Sequence, residues 1–281
     1  MWDSFDQEAF FQRVLLESFG KNEKILQQRL VAAGTLNQGI FLETESGAYF
    51  LKLNHSDNAR LLVEEAASLK LLSAHCPLEV PAVHQVGQIE DQHYLLMDFI
   101  REGHPQADYW AELGEGLAAL HMATRPTFGL ERDNYIATIA QPNSATKNWS
   151  TFFIEQRLEP LAGKAFFDGH INASFLDRFR RLYPLLEELL PKERPALLHG
   201  DLWSGNVMKS ATGRPVLIDP AAYYGHREMD LAFSQLFGGF DPRFYAAYTA
   251  VFPLEPGFEE RRRYTTSIHC SCTCIYLAAV T

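Results

Sequence analysis

Three side chains bearing acid or amide oxygens, Asp201, Asn206 and Asp219, stand five and then thirteen residues apart, each close to a short aliphatic run. Leu197-Leu198 precedes the first Asp and Val216-Leu217-Ile218 precedes the last, so two strand-like supports present a polar turn. Oxygen donors in this order suit transfer of a phosphoryl group. One Asp accepts the proton of an attacking hydroxyl, an Asn five residues later holds a metal, and a later Asp holds the Mg²⁺ that bridges the phosphates. Asp201, Asn206 and Asp219 fit those roles in order. His199-Gly200-Asp201 alone would be an ordinary turn, since Gly and Asp are turn formers. The two aliphatic supports, the Asp-to-Asn spacing and the Asp219-Pro220 stop together select phosphotransfer.

A chain of 281 residues, 47% hydrophobic and 21% charged, can build a sizeable core and is expected to divide into two lobes. Its 25 Lys and Arg against 35 Asp and Glu give a formal charge of −10, which argues against a broad nucleic-acid surface or an anionic membrane target. Any bound phosphate must be handled by local Lys and metal. The acidic N-terminus and the lack of a long apolar run predict a cytoplasmic protein, and a monomer is expected.

The elements that must position these oxygens can be read along the chain. Phe10, Phe11, Val14, Leu15 and Leu16 predict a helix over 5–20, stopped at Gly20. Runs at 29–31, 36–42 and 48–53, separated by Gly turns, predict an antiparallel meander. The turn from Gly34 through Asn37 to Gly39 sits where backbone N–H groups could cover nucleotide phosphates, although a plain hairpin has the same signature. Lys52 ends an apolar strand and so needs a partner, which the predicted helix over 61–72 offers as Glu64 or Glu65. Tyr94 to Ile100 reads as a buried strand; in a kinase layout it would continue into a connector between lobes whose backbone binds adenine, at Met97, Asp98 and Phe99. The boundary is placed near residue 101, giving a nucleotide-binding lobe over 1–100 and a catalytic and substrate lobe over 101–281. Beyond it lie expected helices at 110–121, about 151–166 and about 173–190. His121 is expected to be a packed helix-end residue.

The words themselves carry a resemblance. His199-Gly200-Asp201-Leu202-Trp203-Ser204-Gly205-Asn206, Asp219-Pro220-Ala221, Tyr223-Tyr224-Gly225-His226-Arg227-Glu228 and Phe237-Gly238-Gly239-Phe240 together resemble the fructosamine kinase (ketosamine kinase) family, within the aminoglycoside phosphotransferase-like kinases. The resemblance runs from about residue 5 to residue 263. It implies an α+β, protein-kinase-like, two-lobed fold, with a small antiparallel β lobe and a larger, mainly helical lobe. It implies ATP and Mg²⁺ as cofactors, and as acceptor a ketosamine small molecule or a glycated protein lysine, phosphorylated on a sugar hydroxyl in a deglycation repair step. The family's Glu-Ala-x-x-Leu pattern selects Glu65 over Glu64 as the partner of Lys52. Ala137 departs from the pattern, which has Gly there. An aminoglycoside or choline kinase would use the same machinery, and a nucleotide-binding protein without catalysis is a rival of another class.

Two further readings concern the acceptor. Trp203 is either a wall of the acceptor site or a plug in the helical lobe. His226, Arg227 and Glu228 either face the acceptor or support the metal-binding loop; a first-turn acid explains Glu228 and Asp230 without any ligand. From Tyr264 the pattern stops. Cys270, Cys272 and Cys274 alternate too tightly for the usual zinc turn. Read one base earlier, codons allowed for residues 264–281 can spell a helix and Gly turn resembling the family's, so this tail is expected to be a frameshifted end, which sequencing the gene through codon 263 would decide.

Overall fold

The structure is a computed structural model that describes residues 4–33, 37–54 and 60–261. Gly34 and the tail over 264–281, with its three cysteines, lie outside the described residues. The first helix, α1 (Ser4–Phe19), buries Phe10, Phe11, Val14 and Leu15 along one face, as their spacing requires. Strands β1 (Ile25–Ala33), β2 (Gln38–Thr44) and β3 (Ala48–Asn54) follow; helix α2 (Arg60–His75) comes next, then β4 (Val83–Ile89) and β5 (Gln92–Asp98). They form one sheet in the order β1-β2-β3-β5-β4, antiparallel throughout.

Alternation along the strands decides where the polar groups go. On β3, Tyr49, Leu51 and Leu53 join Phe11 and Leu15 in the core beneath α1, which sends Phe50 and Lys52 to the opposite face and into a cavity. On β5, Tyr94 and Leu96 face α1, whereas Leu95 and Met97 pack against Leu62, Ala66 and Leu69 of α2. A one-residue slip of β3 would drive Lys52 into the apolar core and expose Leu51 and Leu53. At about 1.5–3 kcal/mol for each buried aliphatic side chain, that register is fixed.

The remainder is mostly helical: α3 (Tyr109–Met122), a hairpin of β6 (Asn134–Ile136) and β7 (Ile139–Gln141), then α4 (Trp149–Phe153), α5 (Glu159–Phe167), α6 (Ala173–Arg180) and α7 (Tyr183–Leu189). Four short strands come next: β8 (Ala196–Leu198), β9 (Val207–Lys209), β10 (Pro215–Leu217) and β11 (Tyr223–Gly225), with β8 paired to β11 and β9 to β10. Helices α8 (Glu228–Phe233) and α9 (Pro242–Val251) follow. Leu113, Leu117 and Leu120 of α3 pack with Phe244 and Tyr248 of α9 in the main core of this half.

Both long helices expected here are broken, and proline is the cause each time. Pro160 stands in the first turn of α5 and lacks an N–H, and the turn before it, Ile154–Leu158, widens to π geometry. Pro184 occupies the first turn of α7, separated from α6 by Arg181 and Leu182. Asn148 and Asn172 cap α4 and α6, each accepting from a backbone N–H three residues on.

Candidate active site

The polar turn between β8 and β9 is held from behind. Asp230, in the first turn of α8, is buried; its Oδ2 accepts from His199 N–H at 2.7 Å and its Oδ1 from Gly200 N–H at 2.9 Å. His121 Nε2 lies 3.1 Å from Oδ2, and its Nδ1 lies 2.8 Å from the Tyr248 hydroxyl, so α3, α8 and α9 meet behind the loop. His121 is thus the packed residue the sequence suggested. Gly200 has φ +83, and a Cβ there would stand 2.1 Å from the Ala221 carbonyl oxygen, so only glycine lets the two passes of chain touch. His199 is buried; its Nδ1 accepts from Asp201 N–H at 3.2 Å, which leaves Nε2 to donate to the Ile218 carbonyl at 3.0 Å. Burial lowers its pKa, in keeping with a neutral ring in that tautomer.

In front of this support stand the three predicted oxygen donors. Asn206 Nδ2 donates to the Asp201 carbonyl and to Asp201 Oδ2, both at 2.8 Å, which leaves the amide oxygen as the atom available to a metal. Burial pushes the Asp201 carboxyl up to about 7; the Asn206 hydrogen bond opposes the rise, and the charges of Asp219 and Asp230 add to it. Asp219 follows β10 with φ +53, a left-handed conformation that Asp tolerates better than most residues and that turns the chain sharply after the strand. Its Oδ1 lies 2.5 Å from Lys52 Nζ, which also reaches Glu65 Oε1 at 2.7 Å. Burial alone would lower the Lys52 pKa, but the two carboxylates outweigh it and the pKa is raised. The ammonium is charged and forked between α2 and the β10 strand end. Glu65, not Glu64, is its partner.

Two cavities meet at this fork. The larger, about 880 Å³, lies under the sheet and is lined by Met97, Asp98 and Phe99, with Phe50 above and Met208 and Ile218 below. The smaller, about 300 Å³, contains Asp201, Asn206, Trp203, Glu64 and Asn134. Asn37, Lys52 and Asp219 line both. Gly39 lines the larger one, and Asn37 accepts a hydrogen bond from Asn54 at 2.9 Å. Asp219, which lines both cavities, and the amide oxygen of Asn206, which lines the smaller, are hard oxygen donors, a set that fits Mg²⁺. Trp203 is half-buried, outside the hydrophobic cores, with its ring laid over Gly205, where a Cβ would meet it at 2.2 Å. It is a wall of the smaller cavity and does not plug the helical core.

His226, Arg227 and Glu228 require a correction, because the structure takes them away from the acceptor. All three are buried at and just before the start of α8. Arg227 is bidentate to Glu193 at 2.7 and 2.8 Å and donates to the Phe252 and Pro253 carbonyls, Glu228 pairs with Arg261 at 2.6 Å, and His226 Nε2 meets the Pro191 carbonyl at 3.1 Å. These charges are satisfied by Glu193, Arg261 and backbone carbonyls brought in from elsewhere in the chain, and none of the three lines either cavity. Asp230, which holds the loop through His199 and Gly200, is the site residue that sequence reasoning passed over, together with Met208 and Ile218 on the floor of the larger cavity.

A family model described as fructosamine kinase matches residues 8–270. The Enterococcus faecium protein named "Probable ketoamine kinase" is 40% identical over 251 residues, covering 89% of this chain and 88% of its own. The chloroplastic protein-ribulosamine 3-kinase of Arabidopsis thaliana is 35% identical, covering 86% of this chain and 75% of its own. Among solved structures, a candidate fructosamine-3-kinase from Haemophilus somnus 129PT superposes with a TM-score of 0.82 at 28% identity, over 95% of this chain and 90% of that one. The aminoglycoside phosphotransferase APH(4)-Ia shares the fold with a TM-score of 0.66 at 15% identity, over 97% and 92%.

Proposed function

This chain belongs to the fructosamine kinase family, and from that premise and the geometry we propose that it phosphorylates a sugar hydroxyl of ketoamine adducts at the expense of ATP. The observation that carries the reading is the meeting of two cavities at Lys52 and Asp219, with Asp201 in the smaller. ATP lies in the larger one, its adenine between Phe50 and Met208 beside the connector Met97-Asp98-Phe99, and its phosphates reach Lys52. The ketoamine occupies the smaller one with its hydroxyl at Asp201. The hydroxyl oxygen bonds to the terminal phosphorus as the bond to the bridging oxygen breaks; Asp201 takes the hydroxyl proton and ADP departs. Asn206 and Asp219 would hold Mg²⁺, which supplies neutralisation of phosphate charge when bound. Asp230, through His199 and Gly200, keeps the loop from moving while Asp201 works.

The hydroxyl is that of the third carbon by analogy with the ribulosamine 3-kinase relative, which makes the product less stable and the reaction a deglycation step. The test is turnover of ATP with ribulose-lysine, fructose-lysine, choline and kanamycin. Phosphorylation of the two ketosamines is expected. Transfer to choline or kanamycin alone would overturn the assignment, and nucleotide binding with no transfer to any of the four would favour a non-catalytic protein.

A further inference from the structure

Glu64 has no part in the chemistry above, yet it is only 7% exposed and lines the smaller cavity together with Asp201 and Trp203. It stands one residue before Glu65 on α2, and both line the smaller cavity, but the Glu65 carboxylate is held by Lys52 and that of Glu64 is not. Its Oε2 is buried and accepts no hydrogen bond among the described residues. Two guanidiniums stand near, Arg60 at 3.8 Å from Oε1 and Arg132 at 3.8 Å from Oε2, both beyond hydrogen-bond length. Both arginines are more than half exposed, so their charge is largely spent on solvent. A buried carboxylate oxygen left without a donor costs more than almost any other polar arrangement, and proteins keep such groups where a ligand supplies what is missing.

The missing partner can be named by chemistry. The oxygen needs a donor, favourably a cationic one, small enough for a cavity of about 300 Å³ that also contains Asp201. Trp203 offers an aromatic face on the same cavity, which favours a cation as well. A ketoamine carries such a group, since its secondary amine is protonated near neutral pH and lies next to the carbonyl and hydroxyls that must reach Asp201. We infer that Glu64 receives the protonated amine of the acceptor and is the residue by which the site prefers amine-bearing sugars to neutral ones. This rests on the proposed function. Glu64 is a specificity residue, remote from the transferred proton, and Glu65 remains with Lys52.

The test compares wild type, Glu64→Gln and Glu64→Asp in the full chain, with fructose-lysine and free fructose as acceptors. For Glu64→Gln the fructose-lysine KM is expected to rise on the order of ten- to a hundredfold, the worth of a hydrogen bond to a charged group. Its ATP KM and melting temperature should hold, and its preference for fructose-lysine over fructose should shrink by the same factor. Glu64→Asp, which keeps the charge, should recover part of the preference. An unchanged fructose-lysine KM in Glu64→Gln, or an equal loss with fructose, overturns the inference while leaving the kinase assignment standing. If wild type transfers to no ketoamine but to another amine-bearing alcohol in a Glu64-dependent way, the kinase assignment falls and the inference stands. Wild type that shows no preference for any amine-bearing alcohol over its neutral counterpart sinks the inference outright. Should Glu64→Gln melt early, the preference ratio of Glu64→Asp decides, because a purely structural role would leave that ratio untouched.

Discussion

Replacing Asp201 by Asn should make the protein more stable as it makes it inactive, and the size of both effects follows from the pocket. The carboxyl is carried from 3.8 to about 7, chiefly by burial. That rise corresponds to about 4 kcal/mol of penalty on the ionised form. Asp201 is only half-buried and its cavity admits water, so screening reduces the expected gain to about 1–3 kcal/mol. The sign runs against the usual carboxylate. Below about pH 4 the folded and unfolded chains are both protonated and the group costs nothing. Between about 4 and 7 the folded chain keeps a proton that the unfolded chain has lost, so stability falls as pH rises, and the full cost is present above about 7. Asn mimics the protonated acid in shape and can still accept from Asn206, so it escapes this cost. Thermal melts of both proteins at pH 4 and pH 8 should nearly coincide at the lower pH and separate at the higher, with Asp201→Asn ahead by about 2–4 °C in Tm for each kcal/mol gained. The same substitution should lower kcat by about 10²–10⁴-fold with little change in ATP affinity, and wild-type kcat/KM should climb through pH 7. Identical pH dependence of stability in the two proteins, or near-normal turnover by Asp201→Asn, would refute the reasoning.

Three further substitutions separate the neighbouring roles. Asp219→Ala should weaken Mg-ATP binding itself, read by calorimetry, where Asp201→Asn does not; equal Mg-ATP affinity would contradict a metal-holding Asp219. Trp203→Leu should raise the ketoamine KM with ATP KM and Tm nearly unchanged, because the ring walls the cavity and lies outside the cores; a large fall in Tm at constant KM would return it to the role of a plug. Gly200→Ala must either push back the Ala221 carbonyl or abandon φ +83, and a loss of at least about 2 kcal/mol is expected in urea titrations, with kcat falling alongside; wild-type stability would show that the close approach is not required.

The parts of the site legible in the sequence are those where local rules leave one answer. Lys52 had to be paired because Leu51 and Leu53 bind its strand to the core, and alternation then aims it at the cavity. Asn206 and Asp219 flank the open end of the β9–β10 hairpin, and Asp201 lies five residues before Asn206 in the loop that leads into it, so spacing brings the three near each other. Ala137, noted as standing where glycine is expected, takes φ +51 in the β6–β7 turn, the conformation that makes glycine the ordinary choice. Asp230 was illegible because an acid in a first helical turn already has a sufficient local reason; only the packing of α8 behind β8 reveals that its oxygens hold His199 and Gly200. His226, Arg227 and Glu228 misled for the mirror-image reason. Their partners Glu193 and Arg261 lie more than thirty residues away in sequence, and nothing local announces them. The π turn before Pro160 likewise arises from a missing donor, which marks where a helix must adjust without saying how.

The fork of Lys52 between Glu65 and Asp219 makes each of the three charges the counter-ion of a neighbour. A Lys52 that turns fully to a phosphate leaves Asp219 unneutralised, and a cation taken up by Asp219 weakens its attraction for Lys52. Either exchange made singly leaves a partly buried charge exposed to the penalty of low dielectric, whereas both made together leave every charge matched. The two ligands should therefore bind with positive linkage, each tightening the other by the same factor. Phosphate alone or a divalent ion alone is accordingly expected to bind more weakly than the two together, which titration of each in the presence and absence of the other would read.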